Sequence, residues 1–211
     1  MIRMLIADDH PIVRKGLKQI LSETSDMEVK DEASTAAEVL EKVSKNDYEI
    51  LVLDITLPDR SGLEIIKEIK IIKPDLPILI LSMHSEDLYA FRVFKAGANG
   101  FLNKDSVSDL LISAVRKILS NGKYISEKVA NKLADTFQSG KSMLPHEILS
   151  DREFEIMCLL AKGETIRQIG DILNISPKTV HTYRYRILEK MNMLKDTELT
   201  IYALKHKLIE Y

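Results

Sequence analysis

Short apolar runs alternate with amphipathic stretches along the first 120 residues of the chain. The apolar runs are nearly continuous, as in strands that are buried on both faces of a parallel sheet. Between them, apolar side chains recur every three or four positions, which predicts helices. The predicted strands cover residues 3–7, 27–33, 50–53, 77–81 and 100–102, and the predicted helices cover 11–21, 35–43, 62–71, 86–96 and 107–119. This order predicts a doubly wound α/β domain of five strand–helix units.

From residue 124 to residue 149 the pattern weakens, and a new helical region begins at Ser150. A helix is predicted over 126–137, and the polar segment 138–146 contains Gly140 and Pro145, which are typical of a linker. We therefore predict three parts of the chain: a first domain over 1–122, a linker with a helix over 123–146, and a small all-α domain over 147–211.

Capping residues indicate where the helices of this second domain begin and end. Ser150 and Glu153 have the spacing of a capping box, and Gly163 is suited to end the helix that they begin. Ser176 and Pro177 predict the start of a helix that reaches about residue 191, after a short helix over 165–173. A last helix is predicted over about 198–208. Two helices joined by a tight turn predict a helix-turn-helix. Its predicted core consists of Ile169, Ile172, Leu173, Val180, Ile187 and Leu188.

Composition and charge add two restrictions. No apolar run approaches the roughly 20 residues that span a bilayer, and the N-terminus turns acidic at Asp8. We therefore expect a cytoplasmic protein with no membrane partner. The net charge of −2 does not indicate nucleic-acid binding, but one predicted helix is locally basic. Over 176–190 it carries Lys178, Arg184, Arg186 and Lys190 against Glu189 alone.

Polar residues follow four of the five predicted strands at their carboxyl ends. These residues are Asp8 and Asp9 after the first strand, Asp54 after the third, Ser82 after the fourth and Lys104 after the fifth. In doubly wound sheets such strand ends converge on one edge, where ligands bind. Clustered carboxylates repel one another and need a cation, and Mg²⁺ suits oxygen ligands. The sequence therefore predicts a magnesium site at this edge.

The same residues form a reactive combination. Asp54 can act as a nucleophile toward a phosphoryl donor, giving an acyl phosphate. Mg²⁺ and Lys104 would offset the charge that develops, and Ser82 would donate a hydrogen bond to the phosphoryl oxygens. Taken singly, an aspartate at a strand end is usually a turn or cap residue, and a lysine there is usually solvated. The prediction depends on all five residues occurring together.

The segments Ile6-Ala7-Asp8-Asp9-His10, Leu53-Asp54-Ile55-Thr56-Leu57-Pro58 and 96–104 (AGANGFLNK) resemble receiver domains of two-component systems. The resemblance covers about residues 2–122 and implies a flavodoxin-like (βα)5 fold. It implies that a histidine kinase phosphorylates Asp54.

The resemblance also implies roles for the other residues of this edge. Asp8, Asp9, Asp54 and the backbone carbonyl of Thr56 would hold Mg²⁺. Ser82 and Lys104 would contact the phosphoryl group, and Phe101 would rotate inward on activation. Many receivers have proline after the lysine, with a cis peptide, where this chain has Asp105.

The motifs Leu149-Ser150-x-Arg152-Glu153, 161–163 (AKG) and 175–180 (ISPKTV) resemble the LuxR-type helix-turn-helix of NarL/FixJ response regulators. That family binds DNA and dimerises through its last helix, so we expect a homodimer when phosphorylated. The resemblance implies base contacts near His181, Thr182 and Tyr185. It implies phosphate contacts near Lys178, Thr179, Arg184 and Lys190, and Arg186 lies on the same basic face. Gly170 replaces the alanine that is usual in the family.

Two other functions remain open on sequence grounds. A magnesium-dependent phosphohydrolase also uses an aspartyl phosphate, but typically has a second acid where this chain has Thr56. A receiver that has lost phosphorylation would bind DNA constitutively, which the complete acidic set disfavours. We also hypothesise that Thr56 and His84, each two residues beyond a strand-end site residue, gate the water that hydrolyses the phosphoaspartate.

Overall fold

The computed structural model describes residues 1–83, 86–126, 129–130 and 144–209, without the side chains of 87 and 88. The chain divides into two compact units, 1–139 and 140–211. Most of the predicted helix over 126–137 and of the predicted linker over 138–146 lies outside the described residues.

The first unit contains a five-stranded, fully parallel sheet. Its strands are β1 (Ile2–Ala7), β2 (Met27–Ala33), β3 (Ile50–Asp54), β4 (Ile78–Ser82) and β5 (Gly100–Asn103). They are arranged in the order β2-β1-β3-β4-β5. Every residue of β3 and of β4 is buried, which explains why each strand is apolar up to its last residue. The predicted doubly wound, flavodoxin-like fold is confirmed.

Helices cover both faces of this sheet. They are α1 (Pro11–Ser22), α2 (Ala36–Lys45), α3 (Gly62–Ile72), α4 (Glu86–Ala96) and α5 (Val107–Asn121). Local signals set several of their ends. The side chain of Thr35 accepts the Glu38 N–H at the start of α2, and Gly122 ends α5 with a φ of 76°. One buried cluster joins β1, β3 and β4 to the inner face of α5, which carries Leu111 and Val115.

The second unit is helical throughout its described part. Its helices are α6 (Asp151–Ala161), α7 (Ile166–Ile172), α8 (Pro177–Met191) and α9 (Asp196–Lys205), preceded by a short 3-10 helix (Pro145–Ile148). The predicted capping box forms, since Ser150 and Glu153 each accept the backbone N–H of the other. Ser176 caps α8 by accepting the Thr179 N–H at 3.1 Å. Helices α7 and α8 with the turn between them form the predicted helix-turn-helix.

Two sequence predictions about the second unit are wrong in detail. Ile172 is 51% exposed and does not belong to the core that Ile169, Val180 and Ile187 form. The last helix begins at Asp196 rather than near Glu198, because Glu198 accepts the Leu194 N–H and stabilises an earlier first turn. It ends at Lys205, shortly before Lys207 takes a left-handed φ of 54°. Among the described residues, no helix is long and apolar enough to cross a membrane.

Candidate functional site

The sheet order brings the predicted strand-end residues together at one edge. Strand β3, which ends at Asp54, lies between β1 and β4, and Asp8 follows the end of β1 directly. Ser82 ends β4 and pairs in register with Asn103 of β5, and Lys104 is the next residue. The convergence that the sequence predicts is therefore a consequence of parallel strands in this order.

Three carboxylates and one imidazole form a compact cluster there. Ligand atoms of Asp8, Asp9, His10 and Asp54 all lie within 4.8 Å of one another. Asp8 is fully buried and Asp54 is 4% exposed. Asp9 and His10 lie nearer to solvent, so the cluster is accessible from one side.

Lys104 joins the two buried carboxylates. Its Nζ lies 2.6 Å from Asp54 Oδ2 and 2.6 Å from Asp8 Oδ2, and its side chain is only 10% exposed. A cation between two carboxylates offsets their repulsion in a poorly solvated site. Residues 104–106 form a 3-10 helix, whose start Asn103 caps by accepting the Asp105 N–H. The described residues contain no cis peptide bond.

The backbone around Asp54 is closely packed. The Thr56 N–H donates to Asp54 Oδ1 at 3.1 Å, which fixes one carboxylate oxygen while Lys104 holds the other. Gly62, the first residue of α3, lies against this backbone, and a Cβ on it would be 2.5 Å from the Asp54 carbonyl oxygen. Only glycine permits this close approach of α3 to the end of β3.

Burial and neighbouring charge perturb both central groups. Burial raises the pKa of Asp54, and Asp8 adds to this effect, although Lys104 acts in the opposite direction. Burial lowers the pKa of Lys104, but the carboxylates of Asp54 and Asp8 outweigh it, so the pKa is raised. Lys104 therefore stays charged at neutral pH.

Two further predicted residues have well-defined positions. Ser82 is fully buried at the end of β4. Phe101 in β5 is 1% exposed, so its ring points inward here. Their proposed parts in switching stay predictions. His84, proposed as a gate, lies outside the described residues.

The donor set fits a hard divalent cation. Asp8 Oδ2 and Asp9 Oδ1 are buried, and neither has a hydrogen-bond partner with favourable angles in the part of the chain that the structure describes. Asp8 Oδ2 does form an ion pair with Lys104, and Asp9 Oδ1 lies 2.6 Å from Nδ1 of His10. Three carboxylates this close together supply the oxygen ligands that Mg²⁺ prefers.

Helix α8 presents most of the predicted DNA-contacting residues on one exposed face. Lys178, His181, Thr182, Tyr185 and Arg186 are all exposed. They follow the spacing i, i+3, i+4, i+7 and i+8 that one helix face requires. The opposite face is buried and carries Val180, Ile187, Leu188 and Met191.

The other predicted contacts of α8 are already used within the unit. Lys190 Nζ lies 2.7 Å from Glu153, whose side chain is only 4% exposed. Arg184 lies 2.8 Å from a carboxylate oxygen of Asp196. The Thr179 hydroxyl lies 2.8 Å from that of Ser176. The charge pattern along α8 does not distinguish Arg184 and Lys190 from the exposed cations, because the partners of these two residues lie on other helices.

Family comparisons agree with both halves of this description. The model of the response regulator receiver domain matches residues 4–116, and that of bacterial regulatory proteins of the luxR family matches residues 147–203. The chain is a response regulator of the NarL/FixJ family. Its match to a receiver joined to a LuxR-type DNA-binding domain identifies a transcription factor and not a phosphohydrolase.

Relatives of this response regulator match along nearly the whole chain. Response regulator UvrY of Escherichia coli K12 is 35% identical over 99% of this chain and 96% of its own. Oxygen regulatory protein NreC of Staphylococcus carnosus is 37% identical over the full length of both. A solved structure of RcsB from Salmonella enterica serovar Typhimurium, bound to promoter P1flhDC with phosphomimetic BeF3⁻, has a TM-score of 0.64. It is 26% identical and covers 95% of this chain and 97% of its own.

One site residue has no signal in the sequence. Arg14 in the first turn of α1 donates through Nη1 to the backbone carbonyl of Asp8 at 2.6 Å. A lone arginine on an amphipathic helix is usually solvated, so its position beside the acidic cluster becomes evident only in the folded chain.

Proposed function

We propose that this response regulator is phosphorylated on Asp54 by a sensor histidine kinase and that phosphorylation controls its binding to specific DNA. The observation that carries the proposal is the arrangement of Lys104 between Asp54 and Asp8, in a cluster of three carboxylates whose ligand atoms lie within 4.8 Å of one another. A transcription factor needs no such site for DNA binding itself. The cytoplasmic location expected from the sequence stays a prediction.

The chemistry follows from these residues. A carboxylate oxygen of Asp54 attacks the phosphorus of a phosphohistidine, the P–N bond breaks, and the leaving imidazole retains the electron pair. Lys104 moves from the carboxylates to a phosphoryl oxygen and offsets its charge. When bound, Mg²⁺ supplies further charge neutralisation, held by Asp8, Asp9, Asp54 and the Thr56 carbonyl. The hydroxyl of Ser82 donates a hydrogen bond to an oxygen of the new phosphoryl group.

For DNA recognition, we propose that α8 enters the major groove with its exposed face. His181, Thr182 and Tyr185 would contact bases, and Lys178 and Thr179 would contact phosphates, with Arg186 on the same face. Arg184 now pairs with Asp196, and Lys190 pairs with Glu153. Both would contact phosphates from these positions.

Dimerisation of the phosphorylated form is the last part of the proposal. Leu194, just before α9, is 85% exposed, and Ile201 on α9 is 67% exposed. Two apolar side chains in water near one helix are consistent with a contact between copies on two half-sites.

The test measures DNA affinity of the full chain with and without a small acyl-phosphate donor and Mg²⁺, in the parent and in Asp54→Asn. We expect tighter binding only in the phosphorylated parent. Identical affinity in all four conditions would refute phosphorylation control.

A second arm examines α8. Lys178→Ala should weaken binding to every DNA sequence. It should also reduce the slope of log K against log salt concentration by about one. His181→Ala should mainly reduce the preference for the specific site. Lys45→Ala, which removes an exposed cation from the first unit, is the control. Equal losses on specific and random DNA for His181→Ala would contradict a base-reading role.

A further inference from the structure

The turn between β1 and α1 carries two of the three clustered carboxylates, on Asp8 and Asp9. Asp8 is anchored at several points. Its N–H donates to the Ala33 carbonyl at 3.1 Å, and its Oδ1 accepts the His10 N–H at 2.8 Å. Its own carbonyl accepts the hydrogen bond from Arg14. That carbonyl belongs to the peptide that joins Asp8 to Asp9, so its direction sets where Asp9 leaves the sheet.

Arg14 is itself fixed by a second contact. Its Nε donates to Glu32 Oε2 in β2 at 3.1 Å, and its side chain is 17% exposed. Lys18, one turn further along α1, also pairs with Glu32. The guanidinium therefore connects α1, β2 and the acidic turn, with its planar fork directed at two acceptors at once.

An unanchored turn would not keep this geometry. Lys104 offsets the repulsion between Asp8 and Asp54, but the cluster contains a third carboxylate, and that residue, Asp9, belongs to a loop rather than to a strand. A metal site binds tightly when its ligands are held in place beforehand by groups that do not touch the ion. For the Asp8–Asp9 peptide, the donor that could do this is Arg14.

We propose that Arg14 is a positioning residue of the metal site, which holds the Asp8 carbonyl so that Asp8 and Asp9 face Asp54 before an ion arrives. The inference rests on the proposed magnesium-dependent phosphorylation of Asp54. It adds a determinant of metal affinity that touches neither the ion nor the phosphoryl group.

A positioning role and a purely electrostatic one predict opposite results. Arg14 carries a positive charge close to a cation site, so removing that charge should by itself tighten Mg²⁺ binding. Loss of the hydrogen bond from Arg14 to the Asp8 carbonyl should weaken Mg²⁺ binding. The sign of the change in Mg²⁺ affinity therefore separates the two effects.

The experiment measures the Mg²⁺ dissociation constant of the full chain by calorimetry, with circular dichroism as a check of folding. Arg14→Ala should weaken Mg²⁺ binding about tenfold, which is the lower end of the loss in affinity that is usual when a group supporting a metal ligand is removed. Arg14→Lys keeps the charge but not the fork, and should restore only part of the affinity. Lys18→Ala is the matched control, because it also removes a cation that pairs with Glu32 but makes no contact with Asp8; its affinity should stay within about twofold.

A second readout uses phosphorylation by a small acyl-phosphate donor at increasing Mg²⁺. Arg14→Ala should raise the Mg²⁺ concentration for half-maximal rate, while the rate at saturating Mg²⁺ stays near that of the parent. If Arg14→Ala does not fold, Arg14→Met keeps an apolar side chain of similar length but neither the charge nor the donors, and should weaken Mg²⁺ binding in the same direction.

The outcomes are separable. Mg²⁺ binding by the variants that equals or exceeds that of the parent, or full restoration by Arg14→Lys, would overturn the positioning role alone. Absence of Mg²⁺ binding by the parent would overturn it together with the magnesium part of the proposed function.

Discussion

The acidic pocket and helix α8 both contain cationic side chains with predicted functions, but they hold them in different ways. In the pocket, Lys104 is 10% exposed and contacts two buried carboxylates. On α8, Lys178 and Arg186 are exposed and face solvent. Charges in the pocket depend on one another, so changing one should alter the stability of the first unit. Charges on the exposed face of α8 are independent, so changing one should alter binding and leave stability nearly unaffected.

Within α8 itself the same contrast recurs. Lys190 pairs with the buried Glu153, and Arg184 pairs with Asp196, although both lie on the helix that carries the exposed basic face. These two residues connect α8 to α6 and α9. The comparison between the pocket and the basic face can therefore be tested inside one helix as well as between the two units.

The largest effect is expected at the buried cation. Lys104→Ala leaves Asp8 and Asp54 buried without compensation, and breaking such a buried pair typically costs about 3–5 kcal/mol. We expect a loss of this size in the free energy of unfolding, measured by denaturant titration of the full chain in a chelating buffer. Added Mg²⁺ should reverse part of it. Lys178→Ala, which removes an exposed cation, should change stability little. Equal losses for the two variants would remove the distinction between pocket and exposed face.

A smaller effect is expected where the backbone itself forms the pocket. Gly62→Ala places a Cβ 2.5 Å from the Asp54 carbonyl oxygen and 3.0 Å from Ile55 Cα, so α3 or the end of β3 must shift. Overpacking of this kind costs about 1–3 kcal/mol. We expect destabilisation together with slower phosphorylation of Asp54.

The matched control for that variant is Gly16→Ala. Gly16 lies inside α1, where a Cβ would meet nothing within 4 Å. Alanine in an open helix position should stabilise the protein by up to about 1 kcal/mol. If both variants shifted unfolding in the same direction, the close approach of α3 would not be a constraint on the site.

The smallest effect concerns the paired end of α8. Burial raises the pKa of Glu153, but hydrogen bonds from Lys190 and Ser150 outweigh it, so the pKa lies below its ordinary value of 4.5. A carboxylate with a lowered folded-state pKa contributes stability that is present above pH 4.5 and is lost as the pH falls through the folded-state pKa. Lys190→Ala should therefore cost about 1 kcal/mol at neutral pH, since Lys190 is 42% exposed.

The difference in the free energy of unfolding between Lys190→Ala and the parent should become smaller below pH 4.5, because Glu153 becomes protonated in both proteins. Denaturant unfolding of the full chain across pH measures it. Lys178→Ala, which removes an exposed cation of α8, is the control and should show no such narrowing. A difference that stayed constant down to pH 3 would show that the ion pair does not contribute.

Much of the fold could be predicted because its signals are local. The apolar residues 50–53 of β3 and the N-caps Ser150 and Ser176 act on neighbours within four residues, and the structure confirms them. The acidic edge could be predicted because parallel strands align their carboxyl ends. The start of α9 and the exposure of Ile172 could not, since each depends on which side of a short helix the rest of the unit covers.

The sequence by itself determined the order of strands and helices, the residues at the strand ends and the concentration of basic residues near one helix. Only the tertiary structure decided which of those charges remain free. Lys190 and Glu153 are 37 positions apart, and Arg14 and Glu32 are 18 positions apart. Periodicity and capping report only near neighbours, whereas an ion pair depends on chain segments that folding brings together. For the same reason, Arg14 becomes part of the acidic site only when α1 packs beside β2.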